Sequence, residues 1–220
     1  MNHDMTFYGR RVLFIGAHPD DIELGAGALI AHIVQQAEIL CVTLSDNQKN
    51  PELKNLVQEH YNSMRILDVP KKNVILGPFE TRLFQSCRQE ILEYLIGLRR
   101  EFQPEIVFTH TRADLHQDHS TVTEETLRAF RGTTVLGFDV LRSSYGFFPN
   151  FLTEVTEDDV QKKLDALSEY KTYSSKYYFS PQITRATLIR NGALAERNYA
   201  EGFDTLRIIG MFACTGDDRT

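Results

Sequence analysis

"RVLFIGAHPDDIELGAGALIA", residues 11–31, joins a short apolar run to a longer run of small and apolar residues. The first run predicts a buried strand, and the second, from Glu23 onward, predicts a helix that packs closely on a sheet. Between them lie a histidine, a proline and two adjacent aspartates. Two carboxylates side by side repel each other unless a positive group holds them. The tip of the first strand is therefore a candidate binding site.

The same alternation continues along the chain. Strand-like runs recur at 38–45, 73–77, 105–110 and 134–140, and helical stretches separate them, of which 84–102 is clearly amphipathic. Repeated β-α-β order with nearly continuous apolar strands is typical of a parallel sheet covered by helices on both faces. We therefore expect an α/β fold, namely a Rossmann-like, doubly wound, mainly parallel sheet with a C-terminal cap.

The regular alternation of strands and helices ends after the fifth strand-like run. The segment after it is aromatic and rich in turn residues, a capped helix is expected at 156–170, and a last strand is expected at 205–210. No Gly/Ser-rich linker, repeat or low-complexity segment divides the chain. The sequence thus predicts one domain over 1–220, with the Rossmann-like core at 10–140 and the cap at 141–220.

Composition argues against two classes of partner. The chain has 220 residues, a hydrophobic content of 42% and a formal net charge of −6, so neither nucleic acid nor an anionic membrane surface is expected to bind. It has no apolar run of membrane-spanning length and no signal-peptide pattern at its start. Cys41, Cys87 and Cys214 are far apart and odd in number, which favours free buried thiols in a reducing compartment. These features predict a cytoplasmic protein without membrane insertion.

A second unusual segment, "HTRADLHQDHS" at residues 110–120, follows the fourth strand as the first polar turn follows the first strand. In the common doubly wound order these two strands are neighbours where the winding reverses, and ligands bind there, outside the carboxyl ends of the strands. The two segments are therefore expected to meet in one crevice. The side chains expected to converge there are His18, Asp20, Asp21, His116, Asp118 and His119.

These residue types suit a divalent ion. A catalytic zinc site typically has three protein ligands and an open position, and His18, Asp21 and His119 would make such a set. The three-residue spacing within each motif can bring its side chains to one side of a turn or helix start. Zinc is the expected ion, and another divalent metal stays open because two histidines and one carboxylate suit several.

The remaining residues of the two motifs can do acid–base work. Asp20, on the opposite side of the turn, can take a proton from an attacking water. His116, with Asp118 to orient its ring, can stabilise an oxyanion or protonate a leaving amine. A Lewis acid, a base and an acid together describe hydrolysis of an amide.

"AHPDDIELG" and "HTRADLHQDH" resemble the PIG-L/LmbE-like family of zinc-dependent N-acetylglucosaminyl deacetylases. The resemblance covers roughly residues 10–130 and rests on an Ala-His-Pro-Asp-Asp segment after strand one and a His-x-Asp-His segment after strand four. It implies the same three metal ligands. It also implies Asp20 as general base and His116 as oxyanion or leaving-group partner, with Asp118 behind it.

The chain departs from the family pattern at Ile22, where many members have Glu, and Glu23 is displaced by one position. Arg82 lies in a segment that resembles the family's substrate-hydroxyl contact region. Weaker candidates for the substrate pocket, chosen by position alone, are Asn47, Asp114 and Tyr145. An aromatic cluster serves equally well as a sugar-acceptor site or as core of the cap; it comprises Tyr170, Tyr173, Tyr177, Tyr178 and Phe179.

The sequence favours a zinc-dependent hydrolase that removes an acetyl or similar small acyl group from the nitrogen of an amino sugar or sugar conjugate. One alternative is an amidase of the same mechanism acting on a thiol conjugate or another non-sugar amide. A second is a non-catalytic nucleotide-binding module, although the Gly-x-Gly-x-x-Gly pattern is absent. The sugar, its carrier, the acyl group and the oligomeric state, a homo-oligomer included, stay open.

Overall fold

The computed structural model describes residues 7–47 and 49–210 of the chain. Its strands are β1 (Arg11–Gly16), β2 (Glu38–Thr43), β3 (Val74–Leu76), β4 (Ile106–His110), β5 (Thr134–Phe138), β6 (Phe151–Glu154) and β7 (Ala200–Arg207). Its helices are α1 (Asp21–Ile33), α2 (Leu56–Ile66), α3 (Arg88–Phe102), α4 (Gln117–Ala129), α5 (Glu157–Ser168) and α6 (Pro181–Leu194). Short 3-10 turns connect several of them.

The strands form one sheet in the order β3-β2-β1-β4-β5-β7-β6. The first five strands of that order run parallel, and β7 and β6 are antiparallel additions at the edge. Strands β1 and β4 pair directly, with Val12 opposite Ile106 and Phe14 opposite Phe108. This confirms the predicted Rossmann-like fold and the expected contact between strands one and four. The crevice at their carboxyl ends therefore exists.

Strand β1 is central because both of its faces are apolar. Val12 and Phe14 belong to one hydrophobic core, which includes Leu29 of α1. Leu13 and Ile15 point the other way, into a second core shared with α3 and α4. A strand buried on both faces requires the nearly continuous apolar run seen in the sequence.

Helix α1 lies close to the sheet because two glycines leave room for its neighbours. A Cβ on Gly25 would lie 2.2 Å from the ring of Phe138, at the end of β5. A Cβ on Gly27 would lie 3.1 Å from the side chain of Lys163 in α5. The small residues of this helix therefore serve helix–sheet and helix–helix packing, as expected.

The C-terminal part does more than cap the core, because β6 and β7 extend the sheet. The strand expected at 205–210 starts earlier, at Ala200, and ends at Arg207. Helix α5 starts at a capping box formed by Thr156 and Asp159, close to the predicted helix start. Strand β6 and helix α6 were not predicted.

None of the helices in the described part of the chain is both long enough and apolar enough to cross a membrane. Cys41 is buried and Cys87 is partly exposed, and both are free thiols. Cys214 lies outside the described residues.

Candidate metal centre and active site

The two adjacent aspartates of the first motif have different surroundings. Oδ2 of Asp21 accepts hydrogen bonds from the backbone N–H groups of Ala17, at 3.1 Å, and His18, at 2.7 Å, and so closes the turn between β1 and α1. Asp20 has a positive φ of 105°, and its side chain makes no capping bond to the helix. The carboxylate of Asp20 lines the adjacent cavity instead. One aspartate holds the turn, and the other is available to a ligand.

Three predicted ligand atoms form a nearly equilateral triangle. Nδ1 of His18 lies 3.2 Å from Nε2 of His119 and 3.5 Å from Oδ2 of Asp21, and the last two atoms are 3.4 Å apart. Ligand atoms about 2.0–2.1 Å from a tetrahedral zinc ion are about 3.3–3.4 Å from one another. All three side chains are buried. The donor set therefore fits a tetrahedral divalent ion with one position open to a ligand.

In each histidine of this triangle, the outer ring nitrogen, which is the one that is not a corner of the triangle, contacts a carboxylate. Oδ2 of Asp114 lies 2.8 Å from Nδ1 of His119, and Oδ2 of Asp118 lies 2.9 Å from Nε2 of His18. Such partners fix the ring orientation and the tautomer, so that the inner nitrogen keeps its lone pair for a metal. Carboxylates that contact the second ring nitrogen of each ligand histidine are typical of metal centres built from histidines.

Two expected roles need correction. The carboxylate of Asp118 was expected to orient His116, but it bonds to His18 instead. What reaches His116 is the backbone N–H of Asp118, which donates to the ring Nδ1 at 3.2 Å and makes His116 the N-cap of α4. Asp114 was expected in the substrate pocket, but its carboxylate is buried behind His119. Both carboxylates contact histidine rings, Asp118 that of His18 and Asp114 that of His119.

His110, the last residue of β4, was missed as a site residue. Its Nε2 lies 3.1 Å from the backbone nitrogen of Ala17 and 3.4 Å from Oδ2 of Asp21. Its ring stacks on His119 with centroids 3.9 Å apart, and it is fully buried. His110 thus lies behind Asp21 and His119, on the side away from the cavity. It begins the quoted second motif, and its place at the end of β4 was the available signal.

Two overlapping sets of donor atoms share His119: one with His18 and His116, the other with Asp21 and His110. The triangle described above takes one member from each beside His119. Its three donors have the spacing of a tetrahedral site, and a carboxylate contacts the second ring nitrogen of both of its histidines.

The charges of the site depend on one another. Burial by itself lowers the pKa of His18, but hydrogen bonds to Asp118 and Asp21 outweigh it and raise that pKa to about 9. Burial lowers the pKa of His119 to about 4. Without a metal, the proton of the centre therefore lies on His18, and a binding ion must displace it.

The two aspartates titrate in opposite directions. Burial raises the pKa of Asp20 well above its usual range, and the neighbouring charge of Asp21 adds to this effect. Burial also opposes ionisation of Asp21, but the nearby His119 and His110 hold its pKa well below the usual range. Asp21 is therefore the permanent anion of the pair, and Asp20 is the better proton acceptor.

The cavity in front of the triangle has a volume of about 450 Å³. Two predicted contact residues line it: Arg82 and Asn47, both with positive φ. The backbone N–H of Arg82 donates to Oδ2 of Asp118 at 2.6 Å, which ties this loop to the metal centre. Tyr145 is 72% exposed and does not line the cavity, so the structure does not bring it to the site.

Other cavity residues were not found from the sequence. Lys49 and Arg142 are cationic residues of the cavity wall, and the ammonium group of Lys49 pairs there with the carboxylate of Glu80. The guanidinium of Arg142 lies 5.7 Å from the ring centroid of Tyr178. These residues lie in loops with no motif, so the sequence carried no signal for them.

The aromatic cluster divides between the two roles left open for it. Tyr170 and Phe179 are buried in the core of the C-terminal part. Tyr173 and Tyr178 line the cavity, while Tyr177 is 83% exposed.

Glu23, the displaced acid of the first motif, faces away from this cavity. Its buried carboxylate accepts a hydrogen bond from the hydroxyl of Tyr170 at 2.6 Å and lies 3.1 Å from Nδ1 of His60. This buried network joins α1, α2 and the C-terminal part, and it gives Glu23 and His60 structural roles.

Residues 13–130 match the family model described as PIG-L: GlcNAc-PI de-N-acetylase. The chain is also 32% identical over 168 residues to the "Uncharacterized deacetylase YaiS" of Escherichia coli K12, an alignment that covers 73% of this chain and 90% of that protein.

Two solved structures share the fold. The conserved protein TT1542 from Thermus thermophilus superposes with a TM-score of 0.78 and 18% identity, covering 94% of this chain and all of that one. The N,N'-diacetylchitobiose deacetylase from Pyrococcus horikoshii superposes with a TM-score of 0.74 and 19% identity, covering 90% of this chain and 84% of that one. At these identities the likeness concerns the fold.

Proposed function

Because the chain belongs to the PIG-L family of de-N-acetylases, we propose that it is a metal-dependent hydrolase that removes an acetyl group from the nitrogen of an amino sugar or sugar conjugate. The observation that carries the proposal is the triangle of His18, Asp21 and His119 with Asp20 at the same cavity. Ligands, a base and a substrate-sized space are thus adjacent.

We propose zinc as the ion, held by His18, Asp21 and His119, because two imidazoles and one carboxylate form a common catalytic zinc set. A divalent ion bound there supplies Lewis-acid chemistry, since it polarises an acyl oxygen and makes water more acidic. Asp118 and Asp114 keep the two ligand rings oriented toward it.

Asp20 is proposed as the general base that takes the proton from the attacking water. A base works best when its pKa is close to the working pH, and burial shifts the pKa of Asp20 in that direction. Its positive φ turns the side chain away from the helix start and toward the cavity. The strained backbone at this position is consistent with a functional constraint.

His116 is proposed to assist collapse of the tetrahedral intermediate. Its Nδ1 accepts the N–H of Asp118, so a neutral ring carries its proton on Nε2. Burial and the neighbouring His18 lower the pKa of His116, which favours this neutral form. The Nε2–H can then donate a hydrogen bond to an oxyanion, while the proton that the leaving amine needs is the one Asp20 takes from the attacking water.

A sugar substrate agrees with the cavity wall. Arg82, Arg142 and Asn47 offer hydrogen-bond partners for hydroxyl groups, and Tyr173 and Tyr178 offer apolar ring surface. The Pyrococcus horikoshii structure supports the same class, because it is described as a deacetylase of a diacetylated disaccharide.

The two alternative functions, a non-sugar amidase and a nucleotide-binding module, differ in whether the structure argues against them. An amidase acting on a non-sugar amide would use the same machinery, so only a substrate panel separates it. A nucleotide-binding module is disfavoured, because the N-terminus of α1, where phosphate would bind, carries the carboxylates of Asp20 and Asp21.

The test is metal analysis of the purified protein followed by acetate release from N-acetylated sugars, N-acetylated thiol conjugates and simple amides. The proposal expects about one divalent ion per chain and acetate release from sugars that chelation abolishes and zinc restores. Release confined to the non-sugar amides, or release that survives complete removal of metal, would contradict it.

A further inference from the structure

A buried ion pair from α5 and β7 binds two backbone groups of α1 that would bond each other in a regular helix. In an α-helix each N–H donates to the carbonyl oxygen four positions earlier, so that of Ala28 would donate to Leu24. Here Nζ of Lys163 donates to the oxygen of Leu24 at 2.7 Å. Oε1 of Glu201 accepts the N–H of Ala28 at 3.2 Å. Nζ of Lys163 and Oε1 of Glu201 are 2.5 Å apart, so the ion pair bridges the two backbone groups.

The neighbouring residues of α1 accommodate this pair. Oε2 of Glu201 accepts the next N–H, that of Leu29, at 2.6 Å. A Cβ on Gly27 would lie 3.1 Å from Cγ of Lys163, so the glycine leaves room for the lysine side chain. Side chains that insert into the hydrogen-bond ladder of a helix are a known cause of bending. The direction of the first turn of α1, residues 21–24, therefore depends on the ion pair.

Stability alone does not explain the pair. The side chains of Lys163 and Glu201 are only 5% and 3% exposed. The hydration that two buried charges lose can outweigh their mutual attraction, and apolar side chains of similar size often stabilise a protein as well or better. A buried pair in this position therefore calls for a second explanation.

The first turn of α1 carries the aspartates of the first motif. The backbone N–H of Leu24 donates to the oxygen of Asp20 at 2.9 Å, while the carbonyl oxygen of Leu24 accepts from Lys163. A continuous chain of contacts thus runs from β7 through the ion pair to Asp20. The φ of 105° at Asp20 is a costly conformation, and such a conformation persists only where the surrounding structure holds it. Asp21 is the next residue along the chain.

We propose that Lys163 and Glu201 are positioning residues, whose ion pair sets the direction of the first turn of α1 and so orients the carboxylates of Asp20 and Asp21 at the metal centre. Neither of them lines the cavity in front of the metal centre, so their effect passes through α1. For Asp20 the inference rests on the proposed function, whereas for Asp21 it needs only a bound metal.

The test is the double variant Lys163→Met/Glu201→Met. It removes both charges together, which leaves no unpaired buried charge, and the backbone groups of α1 can then bond one another directly. The matched control is Lys162→Met/Asp68→Asn. Lys162 is the adjacent residue of α5, and its ion pair with Asp68 is exposed and does not involve α1. Asparagine suits position 68 because Asp68 has a positive φ of 60°.

Three measurements are compared in the folded proteins: the visible absorption spectrum with cobalt(II) bound, the cobalt Kd from competition with a chelator, and the kinetics of acetate release. The double variant should show a shifted cobalt spectrum and a Kd weakened by roughly two- to thirtyfold. Its kcat should fall by roughly 10- to 100-fold with a smaller change in KM, because a shift of about 1 Å in a reacting group is that costly. The control should match the wild type in all three.

A double variant with the spectrum, cobalt Kd and kcat of the wild type would overturn the proposal, whatever its unfolding temperature, because the pair would then serve stability alone. The spectrum and the Kd do not depend on deacetylation. Changes in both would support the positioning of Asp21 even if the wild type releases no acetate, a result that contradicts only the proposed function.

Glu201→Asp is the second variant, and it keeps the test decisive if the double variant does not fold. It retains both charges but draws the carboxylate back by one methylene group, away from α1. The same three measurements should change in the same direction. Values equal to those of the wild type would count against the proposal.

Discussion

Replacing Asp114 with asparagine should weaken metal binding although Asp114 touches no metal. Its carboxylate accepts three hydrogen bonds, from Nδ1 of His119 at 2.8 Å, the Ser143 hydroxyl at 2.9 Å and the backbone N–H of His116 at 2.8 Å. An amide has one oxygen and one NH2 group. If the oxygen serves His119, the NH2 group opposes the N–H of His116, and if it serves His116, the ring of His119 loses its acceptor.

The expected size follows from this lost partner. Removing the carboxylate behind a ligating histidine typically costs 10–100-fold in metal affinity, or roughly 1.4–2.7 kcal/mol. Competition with a chromophoric chelator measures the Kd of zinc and of cobalt for Asp114→Asn and the wild type. The control is Asp204→Asn, since Asp204 is a partly buried carboxylate whose hydrogen-bond partner is the Thr111 hydroxyl and not an imidazole.

The control should leave the metal Kd within about twofold of the wild type, because it touches no ligand. An Asp114→Asn protein that folds normally and binds zinc as tightly as the wild type would refute the argument, because His119 would then need no outer carboxylate.

Three further outcomes are expected. Asp20→Asn should retain its metal by elemental analysis and lose acetate release by a factor of about 100 or more, since the attacking water loses its base; substantial turnover in a metal-loaded variant would remove Asp20 from that role. His116→Ala should likewise keep its metal, and its kcat should fall by roughly 100-fold with a smaller change in KM, because the Nε2–H of His116 acts mainly on the transition state. An effect on KM alone would assign His116 to substrate binding. Zinc affinity should rise about tenfold per pH unit up to about pH 9, because the ion displaces the proton of His18, whose pKa is raised to about 9 in the metal-free protein. Calorimetry in buffers of different ionisation enthalpy counts the protons released on zinc binding. Zinc binding without proton release would contradict the assignment of a proton to His18.

The sequence was most informative where local pattern and topology agree. Apolar runs on both faces of β1 and β4 require a covered parallel sheet, and the doubly wound order makes those strands neighbours. Polar residues at their carboxyl ends must then lie close together. The convergence of His18, Asp21 and His119 followed from that rule without any knowledge of side-chain conformations.

What the sequence could not supply depends on contacts between distant segments. Whether Asp118 meets His116 or His18 is decided by the first turn of α4, where the ring of His116 takes the capping position and the carboxylate of Asp118 points across to His18. Strand β6 has four residues and only partial burial, so its pattern is too short to recognise before β7 pairs with it. The apolar residues of α6 form no continuous stripe.

Anomalous diffraction at the zinc absorption edge tests the metal centre most directly, using crystals of the protein loaded with about one equivalent of zinc. The account predicts a single strong peak about 2.0–2.2 Å from Nδ1 of His18, Oδ2 of Asp21 and Nε2 of His119, with Asp20 facing the open side of the ion. A peak bound by His116 in place of Asp21, or no peak within reach of His119, would contradict it.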